Sequence, residues 1–175
     1  MSSSSPRIDI DDVLNCFNQV LSIARNEMEV RRISPLCIEE KILKQLGETM
    51  IGRYEYTLVS GARVDALYGH ILIEYEPPGK LSTSSGIAQA KEQVIKYIKD
   101  EARVEENYGK YLGIIISDKI AFVRYSRRNW TMLGPYGITR ETIVKLIEAF
   151  RGLRRKPLRV EFLVCLLYTS DAADE

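Results

Sequence analysis

Apolar residues recur at helical intervals between residues 9 and 28, where Val13, Leu14, Phe17, Val20, Leu21 and Ala24 share one side of a helix whose first turn carries aspartates suited to its dipole. Ser34-Pro35 then offers an N-cap followed by proline at the first helical position, which predicts a second helix running to about residue 50. The spacing changes to alternation at residues 54–59, Ser60-Gly61 reads as a turn, and two further strands flank Gly69-His70. After the Pro77-Pro78-Gly79 break the pattern predicts a helix over 87–101, strands over 111–117 and 120–125 joined at Asp118-Lys119, and a last helix over 140–151. Thr139 is the natural cap of that helix; Thr142 stands where a capping box would have Glu or Gln, so a single cap is expected. Helix, helix, three strands, helix, two strands, helix is the order of an α/β domain with a mixed sheet flanked by helices.

Composition narrows this picture. With 175 residues, 45% hydrophobic and 28% charged, the chain suits one ordinary domain with a sizeable core. It contains no run of eighteen apolar residues, and MSSSSPR leads into acidic residues without the apolar stretch of a signal peptide, so a cytoplasmic protein with no membrane partner is expected. Cys16, Cys37 and Cys165 are odd in number and far apart, and His70 is the only histidine; neither a disulfide framework nor a zinc site is expected. His70 itself reads as a turn residue. No glycine-rich run joins a strand to a helix as a nucleotide fingerprint requires, and no G-x-S-x-G is present.

The net charge of +1 hides an asymmetry, because residues 124–159 hold ten Lys or Arg against two Glu. Within RYSRRNW, Arg124, Arg127 and Arg128 with Trp130 suit a phosphate-contacting surface on which the indole stacks against a base. A solvated helix end and a partly buried Trp130 fit the same residues. The last eleven residues, CLLYTSDAADE, resemble the translated read-through of a transposon-end sequencing adapter, so residues 165–175 are set aside as a non-native tail. The expected domain is then 1–164, the N-terminal part of a longer protein.

The chemistry concentrates in RVDALYGHILIEYEPPGK, residues 63–80. With Gly69-His70 as a two-residue loop, Tyr68 pairs with Ile71, Leu67 with Leu72, Ala66 with Ile73, Asp65 with Glu74 and Arg63 with Glu76. Side chains alternate faces, so Asp65, Glu74 and Glu76 share a face with Leu67 and Leu72. Opposed Cβ atoms lie roughly 4.5–5.5 Å apart, where like charges destabilise the pair. A hard divalent cation offsets that repulsion, and Mg²⁺ is held by one or two carboxylates with waters and substrate phosphate. An exposed face on which Arg63 neutralises Glu76 is the alternative. On the second helix, Glu39 falls near the centre of the apolar sector formed by Leu36, Ile42, Leu43, Leu46 and Met50, with Glu40 about 100° away. A carboxylate so placed is paired or metal-bound, or reaches to water from the edge.

The succession R-x-D, a short β-turn and I-E-x-E-x-P-G-K, followed by a helix carrying Gln93 and Tyr97, resembles the PD-(D/E)xK nuclease superfamily. Within it, the segment from about residue 30 to 125 looks most like the N-terminal nuclease-like domain that precedes a DNA adenine methyltransferase in fused restriction-modification enzymes. The resemblance implies a restriction-endonuclease-like mixed β-sheet flanked by helices and a Mg²⁺- or Mn²⁺-dependent endonuclease acting on DNA, with a methyltransferase domain as C-terminal neighbour. It makes Asp65 the first acidic residue, Glu74 the acid of the E-x-K motif, Glu39 (or Glu40) the preceding helical Glu, and Gln93 with Tyr97 the Q-x-x-x-Y pair. Asp65, Glu74 and Glu39 would hold the metal. Glu76 stands where the family has lysine; it would ligate or take a proton from the attacking water, with Lys80 or Lys91 as the displaced cation. Two further readings stay open: a catalytically degenerate nuclease fold that binds DNA or links domains, and a protein-interaction module with an acidic face.

Overall fold

Six strands form one mixed sheet in the order β1 (Arg53–Thr57), β2 (Arg63–Tyr68), β3 (Ile71–Tyr75), β4 (Leu112–Ile116), β5 (Lys119–Ser126) and β6 (Asn129–Gly137). The computed structural model describes residues 7–47, 52–103 and 106–154; the tail at 165–175, its junction near 164 and the basic residues beyond 154 lie outside them. Strands β1–β3 and β4–β6 are antiparallel meanders, and the single parallel pair, β3 with β4, is bridged by α3 (Ser84–Glu101). A parallel neighbour demands such a crossover. The helix docks closely because residue 113 is glycine: a Cβ there would meet Val94 Cγ1 at 2.2 Å.

Helices α1 (Ile10–Ile23), α2 (Glu27–Leu36) and α4 (Arg140–Arg154) cover the other face. Phe17, Val30, Ile38, Tyr68, Tyr75, Ile114, Phe122 and Phe150 form the core on that side; Leu67, Leu72, Val94, Ile98, Ile115 and Val123 form the core under α3. The α/β class and the helix-flanked mixed sheet expected from the pattern are thus present. Thr139 caps α4 by accepting the Thr142 N–H at 3.3 Å.

Three expectations change. The first helix ends at Ile23, and the second begins at Glu27 instead of Pro35. Asn26 is its cap: its side chain accepts the Glu29 N–H at 3.0 Å and donates from Nδ2 to Glu29 Oε1 at 3.3 Å, while Glu29 Oε2 accepts the Arg25 N–H at 2.7 Å. Ser34-Pro35 therefore lies inside a continuous helical run, and the seven residues that follow, Cys37–Leu43, are π-helical. Proline supplies no N–H and crowds the carbonyl four residues back, which disturbs the regular turn at this point. The expected end near residue 50 falls outside the described residues.

The second change is β6, which the alternation did not predict because Gly134-Pro135 interrupts NWTMLGPYG and the register with β5 shifts between Ile120 and Phe122. The third is a disulfide between Cys16 and Cys37, joining α1 to the π-helical turn across 21 residues of sequence. Distance along the chain gave no hint of it. Disulfides persist in oxidising surroundings, so this bond does not follow from the expected cytoplasmic setting. Among the described residues no helix is long and apolar enough to cross a membrane.

Candidate active site

The β2–β3 ladder holds the register that the two-residue loop dictates, Tyr68 with Ile71, Leu67 with Leu72 and Ala66 with Ile73, and pairing ends there. Beyond Ala66 the strands part, and the Asp65 carboxylate fills the gap: its Oδ2 accepts the Tyr75 N–H at 2.8 Å. Glu76 sends its own N–H to Ile116 O in β4, at 2.9 Å. The expected pairs Asp65–Glu74 and Arg63–Glu76 are therefore not ladder pairs. Arg63 is exposed opposite Thr57 of β1 and does not neutralise Glu76 across the hairpin.

Asp65, Glu74 and Glu76 are nonetheless 9, 8 and 7% exposed, and they feel one another's charge. Burial, followed by the charges of Asp65 and Glu76, lifts the Glu74 carboxyl to about 9, far above an ordinary glutamate. Burial also pushes Glu76 up, against the pull of Lys80. Gln93 on α3 donates from Nε2 to Glu74 Oε1 at 2.6 Å and to the Tyr97 hydroxyl at 3.0 Å, so the four-residue spacing on one helix face builds a relay onto the acid. The second oxygen, Glu74 Oε2, is buried with no hydrogen-bond partner among the described residues. A buried polar oxygen without a partner is costly, whether the carboxyl is protonated or ionised.

The cations near this cluster were only partly legible. Lys80 reaches Gln89 Oε1 at 2.7 Å while still acting on Glu76. Its loop is fixed from β4–β5: Asp118 Oδ1 accepts the Gly79 N–H at 2.9 Å, and Gly79 has φ of 88°, a conformation that suits glycine. The closer cation is Arg31 on α2, whose Nη1 lies 3.1 Å from Asp65 Oδ1. Nothing in the hairpin motif points to it. The one available signal was its position four residues after Glu27, another acid that acts on Glu74 and Glu76.

Glu39 points inward as its helical position required, but to a different place. It accepts from the Tyr68 hydroxyl at 3.1 Å and also from Tyr54, whose hydroxyl is 2.8 Å from that of Tyr68. Burial, then the bond to Glu39, pushes Tyr54 up to about 12. This tyrosine–glutamate group runs from the buried Tyr68 through the half-buried Glu39 to Tyr54, which is 43% exposed, and the structure does not bring Glu39 together with Asp65 and Glu74.

The basic residues sit at the far end of the sheet. Glu74 is in register with Ile115, and Ile115 with Ala121, whereas Arg127 and Arg128 form the β5–β6 turn. At about 3.3 Å per residue and about 4.8 Å per strand, that turn lies on the order of 20 Å from Glu74. Both arginines are exposed, in left-handed conformations with φ of 48° and 65°. Arg124 is 4% exposed and so is part of the interior, not of a phosphate-contacting surface. Trp130 packs 5.1 Å from Tyr125 and 6.0 Å from Tyr108, under Lys99 Nζ at 5.9 Å, as a partly buried aromatic. His70 occupies the β2–β3 turn, 5.3 Å from the Tyr111 ring.

Among the described residues no three His, Cys, Asp or Glu side chains are grouped to hold a metal ion by themselves. A divalent ion here would rest on two carboxylates, Asp65 and Glu74, completed by water and substrate oxygens, an arrangement ordinary for Mg²⁺. The donor chemistry fits: both are hard oxygen ligands, and one oxygen is buried and unbonded. Compared with protein-family models, curated proteins and solved structures, the chain finds no match.

Proposed function

We propose that this chain is a metal-dependent endonuclease domain that hydrolyses phosphodiester bonds of DNA, with Asp65 and Glu74 as the carboxylates that hold Mg²⁺ or Mn²⁺. The observation that carries the proposal is Glu74 Oε2, buried and unbonded beside two further acids in a strand gap. A bound divalent ion would lower the pKa of a water and neutralise charge on the scissile phosphate. Glu76, its pKa raised, would serve as the base for such a water, and Gln93, itself bonded to Tyr97, fixes the orientation of Glu74. The exposed Arg127-Arg128 turn contacts phosphates well away from the cut, giving salt-dependent binding. The resemblance adds the context of a restriction-modification enzyme with a following methyltransferase domain, working in the cytoplasm.

One observation favours a second reading. The Arg31–Asp65 ion pair neutralises part of the acid cluster without a metal, as a degenerate nuclease fold with a static site would. Incubation of linear and supercoiled duplex DNA with Mn²⁺ or Mg²⁺, against an EDTA control, separates the two. The endonuclease cuts, and Asp65→Ala or Glu74→Ala abolishes cutting while circular dichroism stays that of the wild type. Undiminished cutting by either variant, or an inert wild type, defeats the assignment.

A further inference from the structure

We infer that Arg31 is the phosphate-facing cation of this site, parked on Asp65 in the metal-free protein and turned to the substrate's phosphodiester when a divalent ion and DNA are bound together. The inference rests on the endonuclease reading and adds a residue that its motif does not contain.

Three observations lead to Arg31. The position where the resemblance calls for lysine holds Glu76, so the hairpin provides no cation of its own at that point. Lys80, the nearest replacement in sequence, spends its ammonium on Gln89 at 2.7 Å. Arg31 is the cation bonded directly to one of the clustered acids, and it comes from α2, a different element on the opposite side of the strand gap from Gln93.

The geometry gives this pair two settings. Asp65 Oδ2 is committed to the Tyr75 N–H, a contact that holds the strands together, whereas Oδ1 faces Arg31. Oδ1 is therefore the oxygen available to a hard cation, and Arg31 is what stands on it. The Arg31 side chain is 35% exposed, so leaving Asp65 returns it to water or to a ligand at the mouth of the cluster, without burying an unpaired charge. Among the described residues Asp65 is its hydrogen-bond partner, which leaves most of the five N–H donors of the guanidinium for a phosphate. That planar fork matches two phosphate oxygens, and a scissile phosphate gains negative charge as water attacks. No bond to Arg31 forms or breaks; the group acts through charge and hydrogen bonds.

The test compares wild type, Arg31→Ala and Arg31→Lys in three measurements on the whole chain: Mn²⁺ affinity by calorimetry, duplex affinity in Ca²⁺ by fluorescence anisotropy, and single-turnover cleavage in Mn²⁺. Arg31→Ala should bind Mn²⁺ at least as tightly as the wild type, because a competitor for Asp65 is gone. It should lose about tenfold in duplex affinity and about a hundredfold in cleavage, the scale of a lost charge-assisted contact that strengthens in the transition state. Arg31→Lys keeps the charge without the fork and should recover part of both. Wild-type duplex affinity and cleavage in Arg31→Ala would overturn the inference while leaving the endonuclease reading intact. Parallel loss of Mn²⁺ binding and cleavage would also overturn it, by making Arg31 a clamp that shapes Asp65. A wild type that binds metal and duplex through Arg31 without cutting would support the inference and defeat the endonuclease reading instead.

Discussion

Replacing Glu74 by glutamine tests the electrostatics of the site in the metal-free protein. Glutamine keeps the shape and an oxygen for Gln93 to bond, and removes the ionisation. In the fold the carboxyl titrates at about 9, held up first by burial and then by Asp65 and Glu76. In the unfolded chain it titrates at about 4.3. The folded state therefore carries a proton that the unfolded state has lost across this window. Stability contributed by the protonated form is complete below the unfolded pKa and falls as pH rises toward the folded one. The slope is about 1.4 kcal/mol per pH unit for one proton, so a loss on the order of 3 kcal/mol is expected between pH 6 and 8. Urea denaturation in EDTA at pH 6, 7 and 8 measures it. The wild type should weaken steadily with pH, and Glu74→Gln should be nearly flat, with Glu76 leaving a smaller slope of the same sign. Wild-type stability that is constant or rises over this window would refute the reasoning, as would an unchanged slope in Glu74→Gln.

Two further outcomes follow from the fold. Reducing the Cys16–Cys37 disulfide, or replacing both cysteines by serine, should destabilise the protein by roughly 3 kcal/mol, from the 21-residue separation it spans; a urea midpoint that does not move with reductant would contradict this. Replacing Arg127-Arg128 by Asn-Gly puts residues that tolerate the left-handed conformation at both turn positions and should raise stability by about 1–2 kcal/mol. The same variant should weaken duplex binding at low salt and flatten its salt dependence, read by anisotropy across a salt series.

The parts of the fold that were legible in the sequence are those set by local rules. Gly69-His70 fixed the β2–β3 register, alternation fixed which residues face α3, and helical spacing placed Gln93 and Tyr97 on one side of α3, where Gln93 bonds both Glu74 and Tyr97. What stayed hidden depended on competition or on distant contacts. Ser34-Pro35 has the residues of a helix start, yet the Asn26–Glu29 cap lies upstream and wins the helix. That misplacement left Arg31 outside any predicted element, and with it the ion pair to Asp65. Glu39 was correctly turned inward, but periodicity does not identify the partner, and Tyr54 and Tyr68 claim it instead of the acid cluster. Arg124 shared a basic run with exposed neighbours, and only the strand pairing shows that it lies in the interior.

A calorimetric titration of the metal-free chain with Mn²⁺ at pH 7, repeated in buffers of different ionisation enthalpy, bears most directly on the claim that Asp65 and Glu74 form a divalent-ion site. One ion should bind per chain with release of close to one proton, the one that Glu74 holds when its carboxyl titrates at about 9. Asp65→Ala and Glu74→Ala should each abolish the uptake. No uptake by the wild type, or uptake that survives both substitutions, would contradict the account.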